Sequence, residues 1–124
     1  MKISKVFTFD AAHKLPKDEC YGKCSNLHGH TYKLIVTMEG PVNEKGWVIN
    51  FSDLKKIVNK VVESVDHTYL NDVFSGIPTA ENLIKELFDF ISAELNLFNG
   101  DKDGADLTEL TLYETPDSFV TYNG

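Results

Sequence analysis

The stretch GHTYKLIVTME, residues 29–39, alternates polar and apolar side chains along its length. A period of two is typical of a β-strand with one face on a hydrophobic core. That face would carry His30, Tyr32, Leu34, Val36 and Met38. A histidine begins a stripe that is otherwise apolar or aromatic, so the pattern predicts a polar ring at the rim of the core.

A second strand is predicted over residues 2–13, KISKVFTFDAAH, which contain the β-favouring residues Val and Phe. One face of this strand would carry Lys5, Phe7, Phe9, Ala11 and His13. If the two strands are neighbours in a sheet, the end of the first lies beside the start of the second. After residue 39, GPVNEKG predicts a turn, and WVINF, residues 47–51, predicts a short continuation of the strand.

Helical periodicity begins at Ser52, which we predict as an N-cap. The apolar positions that follow are Leu54, Ile57, Val58, Val61, Val62 and Val65. Their spacing is that of an amphipathic helix. A second helix is predicted with Thr79 as its N-cap. Its apolar stripe comprises Ile84, Leu87, Phe88, Ile91 and Leu95.

Two more strands are predicted over residues 106–114 and 118–122, with a turn between them. The resulting order is β-β-α-α-β-β. This order predicts an α+β fold in which an antiparallel sheet carries two helices on one face. Four strands leave two sheet edges, which other copies of the chain commonly cover.

Composition limits the class of protein. A chain of 124 residues predicts a single domain, residues 1–124, and 42% hydrophobic residues supply a core without disulfides. The net charge of −7 argues against nucleic acid as a partner. No segment has the apolar length of a membrane span or of a signal peptide. We therefore expect a cytoplasmic protein whose two cysteines remain thiols.

Three of the four histidines, His13, His28 and His30, fall at predicted strand ends. His28 and His30 are two residues apart, so their rings would lie on the same side of a strand. Together with His13 they would form a zinc site of three imidazoles with an open fourth position. The alternative is that the rings form only ordinary hydrogen bonds in half-buried positions.

Cys24 lies four residues before His28 and has three interpretations. It is a fourth zinc ligand, an inert cysteine, or a thiolate beside the metal that acts as a general base. Cys20 is interpreted as a loop residue, because its spacing from Cys24 fits no standard zinc finger.

Asp66 and His67 follow the first predicted helix. His67 could interact only with the helix dipole, or the two residues could form a proton relay. Glu114 ends the apolar stripe of the late strands. It could bind the amidine-like edge of a guanine or pterin ring, or be an exposed strand end. Glu81 is explained by its position at the second helix N-terminus.

The acidic segment NGDKDGAD, residues 99–106, begins like a calcium-binding EF-hand loop. Its twelfth position is Leu110, where that loop requires a glutamate. A solvated turn is therefore the favoured interpretation.

Six motifs occur in an order that resembles one known family. They are FDAAHKLP (9–16), C-x3-HGHTYK (24–33), GWVINFSDLKK (46–56), VDHTYLND (65–72), PTAENL (78–83) and YETPDSFVTY (113–122). Over nearly its whole length the chain resembles the 6-pyruvoyltetrahydropterin synthase and 6-carboxytetrahydropterin synthase family. The three-residue spacing between Cys24 and HGH is similar to that of the bacterial queuosine-pathway branch.

The resemblance implies a tunnelling fold and a zinc-dependent lyase. That enzyme converts 7,8-dihydroneopterin triphosphate to 6-carboxy-5,6,7,8-tetrahydropterin, acetaldehyde and triphosphate. The resemblance further implies roles for nine residues: zinc ligands His13, His28 and His30, general base Cys24, relay Asp66 and His67, and pterin-binding residues Glu114, Thr79 and Glu81. It also implies a homohexamer, a dimer of trimers, with active sites between subunits.

Other activities stay open at this point. The same residues could produce 6-pyruvoyltetrahydropterin or cleave dihydroneopterin as an aldolase does. A zinc-binding module without turnover is the alternative from a different class, and loss of activity without loss of metal on changing Cys24 would exclude it.

Overall fold

A computed structural model describes residues 1–98, 100, 102 and 104–124, which form one five-stranded sheet with helices packed against it. The strands are β1 (Lys2–His13), β2 (His28–Glu39), β3 (Thr68–Tyr69), β4 (Asp106–Thr115) and β5 (Ser118–Tyr122). The α-helices are α1 (Phe51–Val65), α2 (Leu70–Val73) and α3 (Ala80–Leu97), and a 3-10 helix covers Glu19–Ser25. The predicted α+β class is confirmed.

The strand order is β3-β1-β2-β4-β5. β1 and β2 pair antiparallel along their full length, from Lys2 opposite Glu39 to His13 opposite His28. β4 pairs antiparallel with β2, and β5 with β4. The short β3 pairs parallel with β1. The sequence does not predict β3, because two residues are too few to show a periodicity.

The core lies between one face of the sheet and the helices α1 and α3. The strand faces predicted from the alternation are the ones that face it, with Phe7 and Phe9 of β1 and Leu34 of β2 buried. All six predicted apolar positions of α1 are buried, as are four of the five in α3. Because the alternation continues to the strand ends, His13 and His30 lie on the same side as this core.

Two local predictions are wrong. The N-cap of α1 is Asn50, whose side chain accepts a hydrogen bond from the N–H of Ser52 at 2.9 Å, and Ser52 lies inside the helix. Residues 47–51 form no strand, and Phe51 begins α1. Val48 and Ile49 are buried without strand pairing, and a short apolar run alone does not distinguish this from a strand.

The predicted N-cap of α3 is confirmed, since the Thr79 side chain accepts a hydrogen bond from the N–H of Asn82 at 3.3 Å. Within the acidic segment, Asn99, Asp101 and Asp103 lie outside the described residues, so its interpretation as a solvated turn stays a prediction. No helix in the described part of the chain is long and apolar enough to cross a membrane.

Candidate metal and substrate site

Three histidines meet where β1 ends and β2 begins. The register pairs His13 with His28, and His30 lies two residues further along the same face of β2. One ring nitrogen from each histidine lies within 4.8 Å of the other two. The ring centroids are separated by 4.5 Å for His13 and His28, 5.2 Å for His13 and His30, and 4.9 Å for His28 and His30. The predicted convergence of these three side chains is therefore present.

Backbone carbonyls hold two of the rings. The Nδ1 atom of His13 lies 2.8 Å from the carbonyl oxygen of Pro78, and Nδ1 of His28 lies 2.7 Å from that of Asn26. A carbonyl oxygen only accepts hydrogen bonds, so both Nδ1 atoms carry the proton. In the neutral rings each Nε2 is then an unprotonated acceptor. Metal-binding histidines commonly donate their other ring N–H to a backbone carbonyl oxygen, as these two rings do.

The third ring, that of His30, has a different environment. Its Nε2 atom is buried, and among the described residues it has no hydrogen-bond partner. The carboxylate of Glu114 lies close to this ring, with Oε1 at 3.7 Å from Nε2. Burial lowers the pKa of His30 against the opposing effect of Glu114, and His13 and His28 add to the lowering. The ring is therefore neutral at pH 7 and has a lone pair to offer.

A divalent cation fits this donor set. The Nε2 atoms of His13 and His28 lie 2.9 Å apart, and in neutral rings their lone pairs face each other with no proton between them. Nitrogens that bind one zinc ion tetrahedrally lie about 3.3 Å apart, close to this separation. A cation would also satisfy the buried Nε2 of His30. Three neutral imidazoles are the ligand set of catalytic rather than structural zinc sites.

Glu114 lines a cavity of about 430 Å³ together with His30, Lys33 and Tyr113. The ammonium group of Lys33 lies 4.0 Å from the centroid of the Tyr113 ring. Glu114 has a half-buried side chain, 29% exposed, whose Oε1 lies towards the ring of His30. The carboxylate therefore faces a space large enough for a bicyclic ring, beside the histidines.

Asp66 and His67 form a hydrogen-bonded pair at the end of α1. Nδ1 of His67 lies 3.0 Å from Oδ1 of Asp66, which also accepts a hydrogen bond from the N–H of Asp10 at 2.9 Å. The Asp10 N–H holds the pKa of Asp66 below its ordinary value, and His67 contributes to this lowering. The ionised carboxylate accepts a hydrogen bond from Nδ1–H of His67, so in the neutral ring Nε2 is the unprotonated nitrogen.

The backbone around His67 is constrained as well. His67 has φ of 56°, the left-handed region that is uncommon for a residue other than glycine. Its N–H donates to the carbonyl oxygen of Asp10 at 2.6 Å. The His67 side chain is 79% exposed and lines a cavity of about 460 Å³ that also contains His30. His67 therefore shares a cavity with one member of the histidine cluster.

Cys24 lies in the 3-10 helix and is exposed. Its carbonyl oxygen accepts a hydrogen bond from the N–H of Leu15 at 2.8 Å, which ties the helix to the chain just after His13. The cluster within 4.8 Å contains only histidines among the described residues, so Cys24 is not one of its members. Cys20 is also exposed in the same helix.

Thr79 and Glu81 lie at the start of α3. Pro78, whose carbonyl oxygen holds the His13 ring, directly precedes Thr79, so this end of the helix adjoins the cluster. Glu81 is exposed in the first turn. Sequence reasoning missed the carbonyl oxygens of Pro78 and Asn26, because every residue has a backbone carbonyl and no side-chain pattern reveals which one a ring will meet.

The sheet, the three imidazoles and the adjacent carboxylate-lined cavity together define an α+β protein with a candidate catalytic metal site. The chain belongs to the 6-pyruvoyl tetrahydropterin synthase family, whose model matches residues 2–124. This match confirms the expected family resemblance and tunnelling fold. A solved relative confirms the fold as well.

Individual relatives agree with this membership. The chain is 37% identical to the 6-carboxy-5,6,7,8-tetrahydropterin synthase of Haemophilus influenzae, over 98% of this chain and 97% of that protein. It is 33% identical to the Bacillus subtilis protein of the same name, over 98% and 84%. The solved 6-pyruvoyl tetrahydropterin synthase of Caenorhabditis elegans superposes with a TM-score of 0.86 at 29% identity, covering 100% of this chain and 95% of that one.

Proposed function

We propose that this chain is a carbon–carbon lyase that converts 7,8-dihydroneopterin triphosphate and water to 6-carboxy-5,6,7,8-tetrahydropterin, acetaldehyde and triphosphate. The observation that carries the proposal is the convergence of three imidazole nitrogens beside the carboxylate of Glu114. The similarity to the Haemophilus influenzae protein, which bears the name of this synthase and matches almost end to end, supports the same product.

His13, His28 and His30 hold the metal ion in this proposal, and zinc is the ion that three neutral imidazoles favour. When bound, zinc supplies Lewis-acid polarisation of the substrate side chain. The carbonyl oxygens of Pro78 and Asn26 fix two of the rings with Nε2 towards the site. The chain therefore orients two of the three ligands with Nε2 as the nitrogen that would bind the ion.

Cys24 acts as the general base that removes a proton from the substrate side chain. Its exposure in a short helix tied to the end of β1 supports this role. Asp66 and His67 exchange a proton at the neighbouring carbon through Nε2 of the imidazole. The hydrogen bond between Asp66 and Nδ1 of His67 supports this assignment, because it fixes the tautomer of the ring.

Glu114 anchors the pterin ring. An ionised carboxylate accepts two parallel N–H bonds from the amidine-like edge of such a ring. The cavity of about 430 Å³ that Glu114 lines, open to His30, supports this placement. Thr79 and Glu81 assist in ring binding from the start of α3, next to the residue that orients His13.

The assembly in this proposal is a homohexamer of two trimers in the cytoplasm, and its product serves queuosine biosynthesis. The two terminal strands of the sheet, β3 and β5, support association, because each has one side without a strand partner in the described chain. Because active sites would lie between subunits in this assembly, Asp66, His67 and Cys24 need not all come from one chain.

Incubation of zinc-loaded protein with 7,8-dihydroneopterin triphosphate tests the proposal. Three products are expected in equal amounts: acetaldehyde, triphosphate and 6-carboxy-5,6,7,8-tetrahydropterin. Triphosphate release with a pyruvoyl product and no acetaldehyde would identify the 6-pyruvoyltetrahydropterin activity instead. Glycolaldehyde from dihydroneopterin would identify an aldolase. Zinc binding without conversion of the substrate would indicate a zinc-binding module that has no catalytic activity.

A further inference from the structure

Tyr32 has a hydroxyl group that the fold buries without a partner. The residue is fully buried, and its Oη atom has no hydrogen bond within the described part of the chain. A buried hydroxyl without a partner costs about 1–3 kcal/mol of stability. A phenylalanine would fill the same space without this cost, so the buried hydroxyl needs a functional explanation.

The surroundings of Tyr32 belong to the histidine site. Its ring stacks on Phe9 with centroids 4.9 Å apart. The edges of two histidine rings adjoin it, His30 at 5.8 Å and His13 at 6.4 Å between centroids. The Tyr32 ring therefore lies between the three histidine rings of the candidate metal site and the hydrophobic core.

Tyr32 and Glu114 lie just beyond the end of the pairing between β2 and β4. The pairing of β2 with β4 joins Leu34 to Leu112 and Lys33 to Tyr113. The pairing ends there, and Tyr32 and Glu114 are the next residues on the two antiparallel strands. Both lie against the ring of His30, Tyr32 at 5.8 Å between ring centroids and Glu114 with Oε1 at 3.7 Å from Nε2.

Two buried atoms near Glu114 have no hydrogen-bond partner among the described residues: Nε2 of His30 and the hydroxyl of Tyr32, whose ring adjoins that of His30. A metal ion on the cluster would take the lone pair of His30, and the Tyr32 hydroxyl could then donate to Glu114. A phenol is a donor of this kind, and a hydrogen bond to an ionised carboxylate is stronger than one between neutral groups.

We propose that Tyr32 is a positioning residue for Glu114, and that its hydroxyl donates to the carboxylate, directly or through one water, when the site binds a pterin ring. This inference rests on the proposed function, in which Glu114 is the ring anchor. The hydrogen bond keeps the carboxylate turned from the histidines towards the cavity, in the orientation that two parallel N–H groups require.

Equilibrium binding of pterin, the bicyclic ring without a side chain, to zinc-loaded protein tests this inference by fluorescence titration. Tyr32→Phe should weaken pterin binding about ten- to hundredfold, the range for a hydrogen bond to a charged group. Tyr122→Phe, which removes a hydroxyl from a tyrosine packed on Phe88 of α3, is the matched control and should bind as the wild type does.

The mode of action is tested by the double variant. If Tyr32 acts through Glu114, then Tyr32→Phe combined with Glu114→Gln should bind pterin no more weakly than Glu114→Gln alone. Fully additive losses would overturn the inference, as would wild-type affinity in Tyr32→Phe. A tenfold loss of zinc affinity in Tyr32→Phe would also overturn it, because the phenol would then act on the histidines.

Failure of this inference and failure of the proposed function give different results. A wild-type protein that releases acetaldehyde and binds pterin as tightly as Tyr32→Phe contradicts only the inference. A wild-type protein that neither converts 7,8-dihydroneopterin triphosphate nor binds pterin contradicts both. Tyr32→Phe should fold in every case, because it keeps the ring volume and removes a group without a hydrogen bond.

Discussion

The Nε2 atoms of His13 and His28 lie 2.9 Å apart, while the Nδ1–H group of each ring donates to a backbone carbonyl oxygen. Two neutral rings held in this way direct two lone pairs at one point. A proton on one ring or a metal ion between the rings resolves the repulsion, and the buried Nε2 of His30 beside them favours an ion that takes all three.

Zinc should therefore stabilise the fold. A ligand that binds only the native state at 100 times its Kd adds about 2.7 kcal/mol to the free energy of unfolding. We expect the Tm of metal-free protein to rise on zinc addition, and the Tm of His28→Ala to respond far less. Thermal unfolding with and without a chelator measures both. An equal zinc response in the two proteins would argue against the cluster as the binding site.

Cys24→Ala should lose activity and keep its metal. Removal of a general base lowers the rate by about two to four orders of magnitude, and Cys24 is not a member of the histidine cluster. Cys20→Ala is the matched control, since it removes the other exposed thiol of the same 3-10 helix. Turnover and zinc content are measured on both variants. Comparable rates in the two would show that Cys24 is not the base.

Asp66→Asn should destabilise the protein at neutral pH, with a difference that disappears in acid. The Asp10 N–H lowers the pKa of Asp66 below its ordinary 3.8 in the folded state. The ionised carboxylate therefore contributes stability that is present above that ordinary value and is lost as the pH falls through the lower folded value. Asn keeps the acceptor oxygen but not the charge.

Urea unfolding of Asp66→Asn at a series of pH values between about 7 and 3 tests this expectation. Asp117→Asn removes the same charge from the exposed turn between β4 and β5 and serves as the control. A stability difference between wild type and Asp66→Asn that stays constant over this range would contradict the assignment.

Asn50→Ala should cost about 1 kcal/mol in the free energy of unfolding, because it removes the side chain that caps α1. Ser52→Ala should change the free energy of unfolding by less than about 0.5 kcal/mol, the range for surface substitutions away from such features. Chemical denaturation of the two variants compares them directly. A larger loss of unfolding free energy in Ser52→Ala than in Asn50→Ala would show that Ser52 is the N-cap.

Much of the fold can be predicted from side-chain periodicity, because the strands β1, β2 and β4 each bury one face and α1 and α3 each bury one stripe. The same periodicity brings His13, His28 and His30 to one side of two paired strand ends. The predicted metal cluster follows from this alternation together with the pairing of β1 and β2.

What the sequence does not predict depends on contacts between distant parts of the chain. The carbonyl oxygen of Pro78 reaches His13 across 65 positions of sequence, and the N–H of Asp10 reaches Asp66 across 56. The position of Glu114 beside His30 depends on the pairing of β2 with β4. No local pattern encodes such contacts. The position of Cys24 relative to the histidine cluster likewise depends on how the neighbouring segments fold.

Zinc content after dialysis is the measurement that tests the central claim most directly. Purified protein is loaded with zinc, dialysed, and its metal content is determined per chain beside that of the triple variant His13→Ala, His28→Ala and His30→Ala. We predict one zinc per chain in the wild type and close to none in the variant. Wild-type protein without retained zinc, or a variant that retains as much, would contradict the proposed metal site.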